Sequence, residues 1–289
     1  MTFLENIDKN RLQKILLVVI SALLLAALVC MVVIIISSVT PPKPTDTGFK
    51  LEDLTLTDKD VATGSLLLVD ADHPYTPNAE WLDLVNCGEY MRAQSDYVAE
   101  HDKDYENLNY IPWKVMKMSK LAMPSIHAML TAAKNEVGAK PLTIDAAYDT
   151  IYHSEKSPEY NTALLIFLSD FDSTQHTRVE PSAEYRSWLE KNAAKYGFIE
   201  SFEDAYRYVG EVHAKHMSEQ NITLAEYIEY LKTNTDATKA LTVKVGNDTY
   251  SVYYAEGAAG DTIKVPSTEE YTISGTNEGG VIVTVKLAK

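Results

Sequence analysis

Residues 15–36 form an apolar run of 22 residues in which only Ser21 and Cys30 are weakly polar. At ~1.5 Å per helical residue, a run of this length crosses a hydrocarbon core of ~30 Å. The sequence therefore predicts a membrane-spanning helix over residues 15–37, with the rest of the chain folding beside it. Lys9, Arg11 and Lys14 precede the run, whereas residues 37–46 contain one base, Lys43. The positive-inside bias keeps residues 1–14 in the cytoplasm and places everything after the helix outside. A cleaved signal peptide is the rival reading, but the run exceeds an ordinary h-region and no small-residue cleavage site follows it. Lipidation at Cys30 is opposed by the bulk of Val29. The expected location is the cell membrane, single-pass, with the C-terminal domains extracytoplasmic.

Charge and cysteine content narrow the external part. Three basic and two acidic residues precede position 38, so a total of −15 leaves −16 on the remainder. Such a surface repels nucleic acid and other polyanions and suits solubility or cationic partners. Cys87 is the one cysteine outside the apolar run, so this part cannot close an internal disulfide and must be held by its core. In LVNCGEY, Cys87 is expected to be a small buried hydrophobe rather than a nucleophile.

Residues 38–63 read as a linker: SVTPPKPTDTG is a Pro- and Thr-rich spacer, and residues 51–62 add an irregular arm. Helical spacing is found over residues 113–136, interrupted near Met123 and Pro124, and over residues 182–196. A third helix over residues 223–232 opens with a Thr223/Glu226 capping box. Strands are expected at residues 66–69, 142–146 and 164–168. After residue 232 a polar bridge leads to alternating runs LTVKV, TYSVYY, TIKV, YTIS and VIVTVKL, separated by Gly-, Asn- and Pro-containing turns. Residues 238–289 thus predict a small β module, expected to pack on the core rather than to bind wall polymer. The class is α+β: a small central antiparallel sheet flanked by helices over residues 64–232, then the β module.

The run from Trp188 to Gly210, WLEKNAAKYGFIESFEDAYRYVG, continues to His213 and Ala214, and GSLLLVDADHP opens the core at Gly64. These segments resemble VanY-like D-alanyl-D-alanine carboxypeptidases, a zinc peptidase group shared with lysostaphin-type and hedgehog-type domains, across roughly residues 64–232. The resemblance implies a catalytic zinc and hydrolysis of a peptide C-terminus. Aligned on RYVG, it puts Phe202 at the general-base position and Ala205 at a zinc-ligand position. A slipped register would put Glu203 at the base and Tyr206 at the ligand. PEYNTALLIF, set against the family's second motif, puts Tyr160 at a zinc-ligand His and Phe167 at a zinc-ligand Asp. Asp149 stands where the family has a substrate-facing Arg.

Catalytic zinc needs three imidazole, carboxylate or thiolate donors and an open position for water. Phe and Ala offer none, and a phenol is a poor ligand at neutral pH. The expectation is therefore a pseudoenzyme with no cofactor, whose cleft, lined by Tyr148, Glu159, Tyr160, Phe167, Phe202, Tyr206 and Arg207, binds a peptidoglycan stem peptide or a cell-wall protein. Two alternatives stay open: an active zinc D,D-carboxypeptidase or endopeptidase with misaligned ligands, and a scaffold that recruits an active wall hydrolase. His213, His216 and Glu219 lie on one helix face and could share a metal, but a structural role is the simpler reading. His153, Ser154 and Asp170 could be drawn as a triad, though adjacency in sequence is not geometry. No phosphate loop or CxxC pair is present.

Overall fold

Helix starts in the chain are marked by their caps. In the computed structural model, which describes residues 18–20, 42–94, 116–138, 142–148, 157–172 and 177–288, the first elements are strands β1 (Thr45–Asp46) and β2 (Leu51–Thr55) and helix α1 (Asp58–Ala62). Thr57 and Asp60 close a reciprocal capping box on α1. Next come β3 (Leu84–Asn86), α2 (Cys87–Arg92), β4 (Lys117–Ser119), α3 (Met123–Val137) and β5 (Leu142–Ala146). A 3-10 turn, Pro158–Thr162, leads into β6 (Leu165–Asp172), which is followed by β7 (Thr177–Val179). Helix α4 (Ala183–Asn192) is capped by the Ser182 hydroxyl, a contact worth about 1 kcal/mol. It runs through a 3-10 turn, Ala193–Tyr196, into β8 (Phe198–Phe202) and β9 (Ala205–Tyr208). Helices α5 (Glu211–Gln220) and α6 (Leu224–Asn234) precede β10 (Lys239–Val245), β11 (Asp248–Glu256), β12 (Thr262–Pro266), β13 (Glu270–Gly275) and β14 (Gly280–Lys286).

The central sheet is antiparallel, ordered β5-β6-β9-β8, with β7 extending along β6. One face carries Ile144, Ile166, Leu168, Tyr206 and Phe198 into the main core against Met123, Ile126, Tyr185 and Leu189. Cys87 is wholly buried in that core, as expected. Burial pushes its thiol up to about 12, so it stays protonated and inert.

The β module is a second sheet, ordered β1-β10-β11-β14-β13. Alternation splits its residues between two interfaces. Leu241, Val243, Val252, Tyr254 and Ile282 pack on Val212, Met217, Tyr227 and Ile228 of α5 and α6. Val281, Val283, Val285 and Tyr253 pack with Leu56, Ile263 and Val265, beside the β2–β12 ribbon. The module is seated on the core, as the sequence led us to expect.

Three expectations are corrected. Residues 42–62 are not a spacer and an irregular arm: β1 pairs with β10 and β2 with β12, so part of the predicted linker completes the β module. Residues 66–69 are buried but not a strand, because their backbone is satisfied by single partners rather than a ladder: Leu66 donates to Ser274 Oγ (2.9 Å) and Leu68 to the Thr276 carbonyl (2.9 Å). Helix α3 starts where an interruption was expected, since Pro124 lacks an N–H that the first turn does not use.

The membrane-helix expectation lies on residues outside those described, apart from the helical residues 18–20. Among the described residues no helix is long and apolar enough to cross a membrane.

Candidate functional site

The face of the central sheet turned away from the main core is set by register. Phe167 lies opposite Ala205 on β9 and Ala146 on β5, and Leu165 opposite Arg207. Side chains opposite one another in a sheet share a face. Ala146, Leu165, Phe167 and Ala205 accordingly form one apolar cluster, which Tyr160 joins from the 3-10 turn capped by Ser157. Tyr160, Phe167 and Ala205, far apart in sequence, are thus brought together. Tyr160 is 2% exposed, and its hydroxyl is pushed up to about 12 by burial, with the Glu159 charge adding to the shift.

The slipped register is excluded by geometry. Tyr206 lies opposite Ile166 and turns into the main core, on the other face from Ala205. It is therefore removed from the set of expected face residues. Glu203 sits exposed in the β8–β9 turn, 3.8 Å from Arg186. Phe202 ends β8 opposite Ala205 and leaves its ring 39% exposed.

Arg207 is not a free binding group either. It is wholly buried, and its Nη2 donates to the carbonyls of Ser65 and Leu67, both at 3.3 Å, clamping the opening segment. Its Nη1 lies 3.9 Å from Glu159 Oε1 and has no hydrogen-bond partner among the described residues. Burial lowers the guanidinium pKa, and the facing Glu159 opposes that shift. Glu159 also accepts a hydrogen bond from the Ser201 hydroxyl.

Tyr148 falls in a separate cluster with Leu82 and Ala163, so it does not join Tyr160 and Phe167. Tyr75, which sequence reasoning missed, lies within electrostatic reach of Arg207 and Tyr148. Its hydroxyl donates to the Ala62 carbonyl (3.0 Å), and its pKa is raised by burial against the pull of Arg207. Its signal was its place directly after His73-Pro74 of the opening motif. Ser201 was missed too, lying inside a quoted motif as a residue without a family role. Asp149, His153 and Ser154 lie outside the described residues.

The histidine pair of α5 is structural. His213 meets the Tyr227 hydroxyl through Nδ1 (2.9 Å) and the Thr284 hydroxyl through Nε2 (3.1 Å), tying α5 to α6 and β14. His216 is buried against the rings of Tyr227 and Tyr230, while Glu219 pairs with Lys215 at the surface. Asp170 accepts from the Ser182 amide (3.1 Å) at the start of α4.

The residues at the zinc positions implied by the resemblance do not fit a zinc ion. A neutral phenol, a benzyl ring and a methyl group supply none of the anionic or imidazole donors zinc requires. Among the described residues no three His, Cys, Asp or Glu side chains gather in a metal-holding group.

No protein-family model matches the chain. Over 264 residues it is 28% identical to a D-alanyl-D-alanine carboxypeptidase of Enterococcus faecium, covering 83% of this chain and 80% of that protein. The fold resembles the crystal structure of the vancomycin-resistance D,D-dipeptidase VanXYg in complex with a D-Ala-D-Ala phosphinate analogue, with a TM-score of 0.57 at 18% identity, over 82% of this chain and all of that one. VanYB in complex with D-alanine-D-alanine is similar at a TM-score of 0.38 and 17% identity, over 57% of this chain and 97% of that one. The Enterococcus relative, the shared fold and the Trp188–His213 motif agree in likening the chain to VanY-like D-alanyl-D-alanine carboxypeptidases.

Proposed function

We propose that the chain is a membrane-anchored, extracytoplasmic member of this family that recognises a peptidoglycan peptide and does not cleave it through zinc. The observation that carries the reading is the packing of Tyr160, Phe167 and Ala205 into one apolar cluster. The register makes a simple misalignment a poor explanation, because the alternative ligand, Tyr206, faces the other way. Peptide recognition is supported by the Enterococcus relative, a D-alanyl-D-alanine carboxypeptidase that aligns over most of both chains. Phe167 and Phe202 offer aromatic area beside the Glu159 carboxylate, a combination suited to a peptide. The anchored, external location rests on residues 15–36 and the bases before them.

The test pairs the native chain with a restored one. Purified native chain is expected to carry far less than one zinc per molecule and to release no D-alanine from a pentapeptide stem, while binding that stem. The triple variant Tyr160→His, Phe167→Asp, Ala205→His places family donors on the converging positions and is expected to take up zinc. A native chain with stoichiometric zinc and D-alanine release overturns the proposal.

A further inference from the structure

Arg207 is a wholly buried cation with one donor nitrogen left over among the described residues. Its Nε donates to the Tyr208 carbonyl (3.4 Å) and its Nη2 to the Ser65 and Leu67 carbonyls (both 3.3 Å), so the guanidinium is fixed in place. The charge facing Nη1 is Glu159, whose Oε1 lies 3.9 Å away, outside hydrogen-bond reach. Glu159 thus neutralises Arg207 without satisfying it, and a buried donor left in that state is costly. A carboxylate free to choose its own position would approach to ~2.8 Å and supply both the charge and the hydrogen bond.

Glu159 can be moved without dismantling the turn that carries it. The Glu159 N–H donates to Ser157 Oγ (3.3 Å), and the Glu159 carbonyl accepts from the Thr162 hydroxyl (2.7 Å). Neither contact uses the carboxylate. Its other partner is the Ser201 hydroxyl, and both Glu159 and Ser201 line a cleft of about 580 Å³. Arg207 does not line that cleft, whereas Glu159 meets both the cleft and Nη1. Rotation of the Glu159 side chain would bring its charge into the open cleft, where water and salt screen it against Glu190 and Glu200.

We propose that Glu159 is an internal stand-in for a ligand carboxylate: a peptide with a free C-terminus displaces it and takes the Nη1 hydrogen bond that Glu159 does not make. Arg207 lies opposite Leu165 and two residues from Ala205 on β9, so a terminus held there sets the end of the peptide beside the apolar cluster. The inference rests on the peptide reading above and deepens it, naming the group that is recognised and the contact that withholds its receptor.

The probes are N-acetyl-Lys-D-Ala-D-Ala and its C-terminal amide, titrated against the full chain in non-ionic detergent. Glu159→Gln removes the competing charge and keeps an acceptor for Ser201. It is expected to bind the free acid at least about tenfold more tightly than the native chain does, and to leave the amide within about twofold. Glu190→Gln removes an equal charge from the cleft lining at an exposed position on α4, and is expected to change acid binding by less than about twofold. A crystal structure of Glu159→Gln with the acid is expected to show a carboxylate oxygen at hydrogen-bond distance from Arg207 Nη1. Equal gains for acid and amide, no gain, a gain in Glu190→Gln as large as that in Glu159→Gln, or a carboxylate seated away from Arg207 would each overturn the proposal. An amide bound as tightly as the acid by both chains sinks the stand-in alone and leaves peptide recognition in place, whereas no binding of either probe by either chain sinks both.

Discussion

The Trp188–His213 segment and the sheet face beside it follow the family pattern to opposite degrees. In the segment, the matching residues carry structural contacts. Trp188 Nε1 donates to Glu136 Oε2 (2.7 Å), joining α4 to α3. Gly197 holds φ +83° where a β-carbon would sit 2.8 Å from the Tyr208 ring. Arg207 clamps Ser65 and Leu67, and His213 ties α5 to α6 and β14. On the face, the departing residues Tyr160, Phe167 and Ala205 pack carbon against carbon. Buried donors without partners are costly, whereas apolar replacements of similar shape are tolerated. The supports of the fold and the residues at the zinc positions implied by the resemblance are therefore separable.

The strongest way to break that comparison is to remove a support. Arg207→Leu leaves two carbonyls without their donor and Glu159 without its facing cation, and is expected to cost about 3 kcal/mol. The loss stays below that of a fully buried ion pair because Glu159 keeps Ser201 and some solvent. Urea unfolding measures it; a cost under about 1 kcal/mol would mean that the matched Arg207 is no support.

What was legible in the sequence follows the range of the forces involved. The five C-terminal strands were readable because period-two alternation is local, and the Thr223/Glu226 box because a cap is local. Convergence of Tyr160, Phe167 and Ala205 was not contained in any pattern and came only through the resemblance. Tyr206, grouped with Tyr160 and Phe167 in one cleft, turns to the opposite side of the strand from Ala205, because a one-residue shift in a strand reverses the side a residue faces. β1 and β2 were hidden because their partners, β10 and β12, lie near the other end of the chain. Residues 66–69 read as a strand from their hydrophobicity, yet their backbone is held by Ser274, Thr276, Asn277 and Arg207.

Two histidines, one in the Trp188–His213 segment and one in the opening loop, predict opposite pH responses. Burial, with His216 adding, holds His213 down to about 3, so the folded chain keeps it neutral. Between about 6.5 and 3 the unfolded chain binds a proton there that the folded chain does not, and stability falls as pH falls, by at most about 1.4 kcal/mol per pH unit. Thermal unfolding of the native chain should therefore decline more steeply below pH 6 than that of His213→Gln. His73 is the contrary case. Its Nδ1 lies 2.8 Å from Asp70 and its Nε2 3.1 Å from Glu278, and its pKa is raised, chiefly by the Asp70 hydrogen bond. That contribution is complete below the unfolded value and is lost as pH rises through the raised one. His73→Gln should flatten a smaller decline on the alkaline side; an unchanged profile would show that His73 does not fasten the opening loop to the β13–β14 turn.

The smallest expected effect is the sharpest test of the face. Phe202 stands where the resemblance places the general base, yet it is 39% exposed at the end of β8. Phe202→Glu restores the family residue type there while removing little buried area, so stability should change by no more than about 0.5 kcal/mol. A carboxylate at that position has no metal-bound water to deprotonate while Tyr160, Phe167 and Ala205 remain, so D-alanine release from a pentapeptide should stay at background. The same substitution added to Tyr160→His, Phe167→Asp, Ala205→His should matter only once zinc is held. If Phe202→Glu alone produced hydrolysis, the zinc positions inferred from the resemblance would be the wrong ones, and the division between retained supports and altered chemistry would have to be drawn elsewhere on the sheet.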